Sequence, residues 1–464
     1  MTSPQSAEAP EQGGLHTLLA RVVDVRRDEV RVMLMSAAFF FFVLCAYFIL
    51  RPIRDEVAVS TGVTKLPWLF AGTLTGTLIC NPLFSALVVR LPARRFIPIT
   101  YHTMAACLLV FYALMRFVTL RGAGDVWIGR AFYVWTSVIA LFVTSVFWCF
   151  MADVFRSEQA KRLFGFIGVG GTLGALTGAQ VTALLVRSIG TSNLLLVSAV
   201  LFELGVFIVR MFPPNASTPG ERQASTTPLR AVGARDDVER AVIGGSTWAG
   251  VSNMMRSPYL FGIAVFLILY TVGSTILYFQ QSDIVGRYYP NREVRTQLLA
   301  NIESAVQILT LVTQTFFTGR IIRWIGLGAT LALMPALSAI GFAALGMAPV
   351  LATVVGFTVL RRGSNFALTN PAMEALFTVV SREDKYKTKS FIETFVYRGG
   401  DQLAAWTYAG LSAIGLGLTG ISYAAVPMCA VWLALGVWLG RRQAQLAGSQ
   451  SNVALSGALE VKPA

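Results

Sequence analysis

The sequence predicts an all-α integral membrane protein of about twelve transmembrane helices, arranged as two six-helix halves related by a parallel repeat. Three observations predict it. Apolar residues make up 55% of the 464-residue chain and charged residues only 13%, a balance that a water-soluble domain of this length does not show. Apolar runs of about 18 to 25 residues, long enough to cross a hydrocarbon core of roughly 30 Å as helix, recur from Val32 to Gly440. A polar, Pro/Ser/Thr/Gly-rich stretch then divides these runs into six and six.

Taken in order, residues 1–29 read as a cytoplasmic N-terminal segment. Within it Leu15, Leu18, Leu19, Val22 and Val23 recur at helical spacing among Arg21, Arg26 and Arg27, which fits either a short helix in the membrane interface or a frayed tail. The first apolar run lacks the short core and cleavage site of a signal peptide and is expected to be retained. Because unpaired backbone groups are not tolerated in lipid, each long run is read as a helix. Expected spans begin near residues 30, 66, 96, 126, 162, 191, 258, 297, 327, 349, 388 and 418, giving an N-terminal half at 30–211, a cytoplasmic linker at 212–257, a C-terminal half at 258–440 and a cytoplasmic tail at 441–464. Lys and Arg concentrate in the termini, the even-to-odd loops and the linker. That bias places both termini in the cytoplasm of a cell whose inner membrane the chain crosses many times, and it accounts for most of the formal charge of +14 without nucleic acid.

The two halves also resemble each other. The stretch Lys161 to Gly171 aligns without gaps on Ser390 to Gly400, with Phe166 on Phe395 and Gly170-Gly171 on Gly399-Gly400. The same register lays Arg51 to Asp55 on Gln280 to Ile284, which includes Asp283, and brings Arg130 close to Arg361 and Arg362. A six-plus-six parallel repeat is similar to the major facilitator fold, and that likeness implies that spans 1, 4, 7 and 10 line a central cavity.

Charge inside the spans is where chemistry is expected, because an arginine at a helix centre costs about 2.5–3.5 kcal/mol to insert. The interiors of spans 2, 3, 5, 9 and 12 carry none. Spans 1, 4, 10 and 11 carry Arg51, Arg54 and Asp55; Arg130; Arg361, Arg362 and Glu374; and Glu393, Arg398 and Asp401. Guanidinium stays charged when partly desolvated and offers a planar fork for carboxylate or phosphate. Arg51, Arg54, Arg130, Arg361, Arg362, Asn365 and Arg398 are therefore the candidate substrate-binding residues, and Asp55, Asp283, Glu374 and Asp401 the candidate gating or proton-coupling groups. The alternative for these charges is mutual satisfaction: Arg398 with Asp401 one turn on, and Arg361 and Arg362 with Glu374 or backbone carbonyls. Gly363, Asn365, Asn370 and Pro371 interrupt the tenth run beside its arginines, which predicts a kinked or broken helix.

Other motifs exclude function classes. No Gly-x-x-x-x-Gly-Lys-Ser/Thr loop is present, so direct ATP hydrolysis is not expected. The histidines His16 and His102 stand apart, and the five cysteines lie singly inside apolar runs, so neither a metal centre nor a cofactor is expected and the chain is not read as an enzyme. Gly170, Gly174 and Gly178 form a small-xxx-small stripe that points to close helix packing.

The segments Tyr47-Phe48-Ile49-Leu50-Arg51-Pro52-Ile53-Arg54-Asp55, Phe147-Trp148-Cys149-Phe150-Met151-Ala152-Asp153 and Asn370-Pro371-Ala372-Met373-Glu374-Ala375-Leu376-Phe377, with Ala160 to Phe164 and Phe391-Ile392-Glu393, resemble the ATP/ADP translocase-like (nucleotide transporter) family. The resemblance runs collinearly over most of the chain. It implies exchange or uptake of a phosphorylated anion by alternating access, with charged residues of spans 1, 4, 10 and 11 involved. It also exposes a departure: Met373 stands where a lysine is expected before Glu374, which puts nucleotide specificity in doubt. The expectation is a secondary transporter of an organic anion, nucleotides and other phosphorylated solutes among the candidates, whose partners are that solute, the bilayer and a proton or counter-transported ion. Two alternatives stand beside it: an exporter of neutral or cationic compounds, and a scaffold or sensor of the same fold that transports nothing.

Overall fold

A computed structural model describes residues 25–26, 29–91, 93–118, 125–155, 157–213, 249–380 and 388–460. The interfacial helix expected over Leu15 to Val23 and most of the linker, residues 214–248, lie outside the described residues. The described chain is helical throughout its spans. The N-terminal half comprises α1 (Val30–Thr61), α2 (Leu66–Arg90), α3 (Ala93–Val118), α4 (Asp125–Val154) and the long element Ser157–Arg210, whose two arms, before and after Gly190, are α5 and α6. A short helix, Ala249–Arg256, precedes the C-terminal half.

Gly190 is where direction reverses. Its φ of 79° is a conformation that only glycine adopts readily. Before it, α5 runs parallel to α1: the Cβ positions of Gly170, Gly174 and Gly178 face the backbone of Ala37, Phe41 and Cys45 in turn. After it, α6 runs antiparallel to α1, with the Ser198 hydroxyl donating to the Ala46 carbonyl (2.9 Å) and Gly205 lying against Val43 and Phe39. The glycine stripe is therefore a packing surface, on which any side chain would collide with α1.

The C-terminal half repeats the pattern. It holds α7 (Pro258–Tyr288), α8 (Arg292–Phe316) and α9 (Thr318–Met347), the last bent at Gly326 (φ 78°), so that its spanning arm begins at residue 327. Ser257 caps α7, with Pro258 at the first position where its missing N–H costs nothing, and Asn291 caps α8 through Glu293 and Val294 N–H. Next comes α10, made of Leu351–Ser364, a π turn at Asn365–Thr369 and Asn370–Leu376; α11 is made of Lys389–Phe391, a π turn at Ile392–Val396 and Tyr397–Ala413. Finally α12 (Leu418–Glu460) continues well past residue 440. Twelve crossings thus start close to the expected positions among the described residues. Among the described residues, seven helices are long and apolar enough to be spans by composition alone. Neither α2, α8 nor the broken α10 and α11 are among them, and the last three carry Glu303, Arg361, Arg362, Arg398 and Asp401.

The interruption expected in α10 has a backbone cause. Pro371 cannot donate to the Ala367 carbonyl, and the adjoining π turn loosens the ladder. The freed carbonyls are satisfied from neighbouring helices: the Thr318 hydroxyl donates to Ala367 O (2.7 Å) and the Gln314 amide to Phe366 O (3.1 Å). The repeat is visible in the packing as well. Gly171 on α5 lies against Phe40 of α1, and its aligned partner Gly400 on α11 lies against Ile268 and Thr271 of α7.

The two halves touch through α1 with α7 and α8, α5 with α8, and α2 with α11. These contacts gather toward the face opposite the start of α1. Val59, Val285 and Leu299 form a small buried apolar plug there, Trp68 meets Trp406 edge to face at 5.3 Å, and the Gln297 amide donates to Ala183 O (2.8 Å). Toward the face where α1 begins, α5 and α8 part, leaving a cleft of about 650 Å³ between Arg162 to Thr172 and Leu311 to Thr315. The molecule is therefore closed at its far face and open at the face of its chain ends.

Candidate substrate cavity

Between the halves lies a cavity of about 640 Å³ walled by α1, α2, α4, α7, α10 and α11. Of the eleven residues singled out from the sequence, nine line it: Arg51, Arg54, Asp55, Arg361, Arg362, Asn365, Glu374, Arg398 and Asp401. The other two lie outside its wall. Arg130, near the start of α4, places its guanidinium 4.6 Å over the Trp127 ring. Asp283 pairs with Arg287 one turn on (2.7 Å), where both are partly exposed.

The cavity residues fall into three groups. On α1, Arg54 grips its neighbour Asp55 through Nε (2.9 Å) and Nη2 (2.6 Å), and Asp55 also accepts the Tyr278 hydroxyl of α7 (3.1 Å). Asp55 thereby ties the halves together. The second group centres on Glu303 of α8, 2% exposed. Arg362 donates to it at 2.7 Å, the Gln307 amide donates at 2.9 Å, and Arg51 Nε stands 3.4 Å away without forming a hydrogen bond. One carboxylate thus bridges arginines from α1 and α10. The third group lies on α11, where Arg398 and Asp401 are 3.8 Å apart and Asp401 accepts the Thr275 hydroxyl (3.3 Å). Nearer the open face, Lys389 pairs with Glu374 (2.7 Å).

Arg361 differs from all of these. It is 2% exposed, and each guanidinium nitrogen is held: Nε donates to Ser338 Oγ (3.1 Å), Nη1 to Ser274 Oγ (2.7 Å) and Nη2 to Tyr270 O (3.0 Å), with the Tyr270 ring 5.1 Å away. Its partners are neutral, and no carboxylate lies within ion-pair distance among the described residues. Such a charge is oriented by hydrogen bonds but not neutralised by a carboxylate among the described residues. Mutual satisfaction describes Arg398 with Asp401. It describes Arg362 only through Glu303, and for Arg361 it takes the form of one carbonyl and two serine hydroxyls, with no acid among the described residues.

Sequence reasoning passed over Glu303, and over Glu56 with its partners Arg292 and Arg295. Glu303 stood in plain view as a lone acid inside the eighth run, the kind of intramembrane ionisable group that marks a site. Glu56, 1% exposed, is held at the far face by Arg295 (2.7 Å) and Arg292 (3.3 Å) of α8, and accepts the Ser60 hydroxyl. Its role depends on α1 meeting α8 across the halves, which no local pattern reports.

Comparison with known proteins agrees with the fold. The family model for the Major Facilitator Superfamily matches residues 32–400. ADP,ATP carrier protein 1 of Chlamydia muridarum is 22% identical, with 94% of this chain and 91% of that protein covered. The same-named protein of Chlamydia pneumoniae is 23% identical over 68% of this chain and 66% of its own length. Among solved structures, the nucleoside transporter NupG superposes with a TM-score of 0.57 at 13% identity, covering 88% of this chain and 98% of that one.

Proposed function

The chain belongs to the Major Facilitator Superfamily, and from that premise we propose that it is a secondary transporter, not an enzyme, that moves an organic anion by alternating access. The observation that carries the reading is Arg361: a buried guanidinium on the cavity wall, pre-oriented by Ser338, Ser274 and Tyr270 O, whose charge no carboxylate among the described residues balances. With the Lys/Arg bias placing both termini in the cytoplasm of a bacterial inner membrane, the open face is the cytoplasmic one. Rocking of the two halves about the cavity would break the Glu56 cluster while closing the cleft between α5 and α8. Asp401, on the wall beside Arg398, is the group best placed to answer to a coupling proton or counter-ion. The relatives named as ADP,ATP carriers favour a phosphorylated cargo. Met373 lines the cavity in this chain, an apolar side chain where the nucleotide-transporter resemblance leads one to expect a lysine.

The reading is tested by thermal stability of the detergent-purified protein against nucleotides, sugar phosphates, carboxylates, neutral nucleosides and organic cations, since a ligand that binds only the native state raises its melting temperature. We expect stabilisation by an anion and none by its neutral counterpart. Stabilisation by neutral or cationic compounds alone would replace this reading with an exporter whose arginines serve only as gate pairs.

A further inference from the structure

We infer that the cargo is an organic dianion, an inference that rests on the anion reading proposed above and narrows it. The cavity and its direct partners hold five arginines among the described residues, Arg51, Arg54, Arg361, Arg362 and Arg398, none of which can shed its charge. Against them, among the described residues, stand three carboxylates: Asp55, Glu303 and Asp401. Glu374 is matched by Lys389. Two positive charges are left over.

In an open cavity water screens that excess, but transport requires a state in which both faces are shut and water is largely excluded. There, uncompensated charge of either sign is costly. A cargo carrying two negative charges closes the balance, whereas a nucleoside diphosphate or triphosphate would bring surplus negative charge into the occluded site. Met373 acts in the same direction, because a lysine there would raise the excess by one. The remaining wall includes Phe70, Tyr133, Tyr270 and Tyr278, so the cargo has an organic body and is not a bare inorganic ion. A phosphate monoester and a dicarboxylate share this chemistry.

The test uses the full-length purified protein at pH 8, where a phosphate monoester, with its second pKa near about 6, is close to fully dianionic. Binding is measured by thermal shift for two charge series, AMP, ADP and ATP, and succinate and citrate, with adenosine and inorganic phosphate as controls. The dianion of at least one series should bind at least tenfold more tightly than its more highly charged members, and which series responds separates phosphate from carboxylate. Asp401→Asn removes one carboxylate and should move the preference at least fivefold toward ADP or citrate. Glu303→Gln makes the same change in charge from another helix and serves if Asp401→Asn does not fold. ADP, ATP or citrate binding as tightly as its dianionic relative would overturn the dianion while leaving the anion reading intact. Binding of no anion at all would overturn both.

Discussion

Replacing Arg361 with alanine is expected to weaken anion binding by at least about 30-fold. Removing one partner of a buried, hydrogen-bonded charge pair costs about 2–5 kcal/mol, and Arg361 is the guanidinium whose charge is left for the cargo. The fold should survive. Among the described residues no acid is orphaned, because the groups left behind are the Ser338 and Ser274 hydroxyls and the Tyr270 carbonyl. Arg361→Lys should fall between wild type and alanine: it keeps the charge, but a single ammonium cannot reproduce the planar fork that three neighbours now orient. Titration calorimetry with the stabilising anion provides the measurement. Wild-type affinity in folded Arg361→Ala would remove Arg361 from the site.

The second large effect is expected at the far face. Glu56→Gln leaves Arg292 and Arg295 facing each other without the carboxylate that joins α8 to α1. Breaking a fully buried pair costs about 3–5 kcal/mol. Arg292 is 44% exposed at its side chain, so the closed far gate should lose nearer about 2 kcal/mol, or roughly a 30-fold shift in its opening equilibrium. Val59 lies in the apolar plug beside this cluster. In a background without the native cysteines, Val59→Cys should react with a membrane-impermeant maleimide from the far side at least tenfold faster when Glu56→Gln is added. An unchanged rate in folded protein would mean that the cluster does not hold the gate.

The fold could be read from the chain because a bilayer imposes a simple rule on long apolar segments. One break was legible as well: Pro371 predicts the loosened backbone of α10, whereas the bend at Gly326 was not anticipated. The arginines of the cavity were legible for the same reason, since charge inside an apolar run stands out. Pairing was not. Arg362 and Arg51 meet at Glu303, more than 200 residues along the chain from Arg51, and only the packing of α8 between α1 and α10 makes one acid serve both. Arg130 shows the converse. It is an intramembrane arginine by sequence, yet its place near the start of α4 turns it onto Trp127 and away from the cavity wall. Depth along a helix and the face it presents decide such cases, and both depend on tertiary packing.

The gate contacts and the cavity charges have a joint consequence. Asp55 and Glu303 each take a cross-half contact, with Tyr278 and Arg51 respectively, while lying on or beside the cavity. An entering anion therefore competes for the same guanidiniums that help hold the halves in their present arrangement. That competition would let binding energy drive the change of state, because a ligand shifts a conformational equilibrium only by its differential affinity for the two states.

The central claim is tested most directly by counterflow in proteoliposomes loaded with an unlabelled organic anion and diluted into a trace of the same anion carrying label. Transient, saturable accumulation of label that is lost in Arg361→Ala is the predicted result. Label uptake no greater than in protein-free liposomes for every anion, in vesicles that do accumulate a neutral or cationic solute, would contradict it.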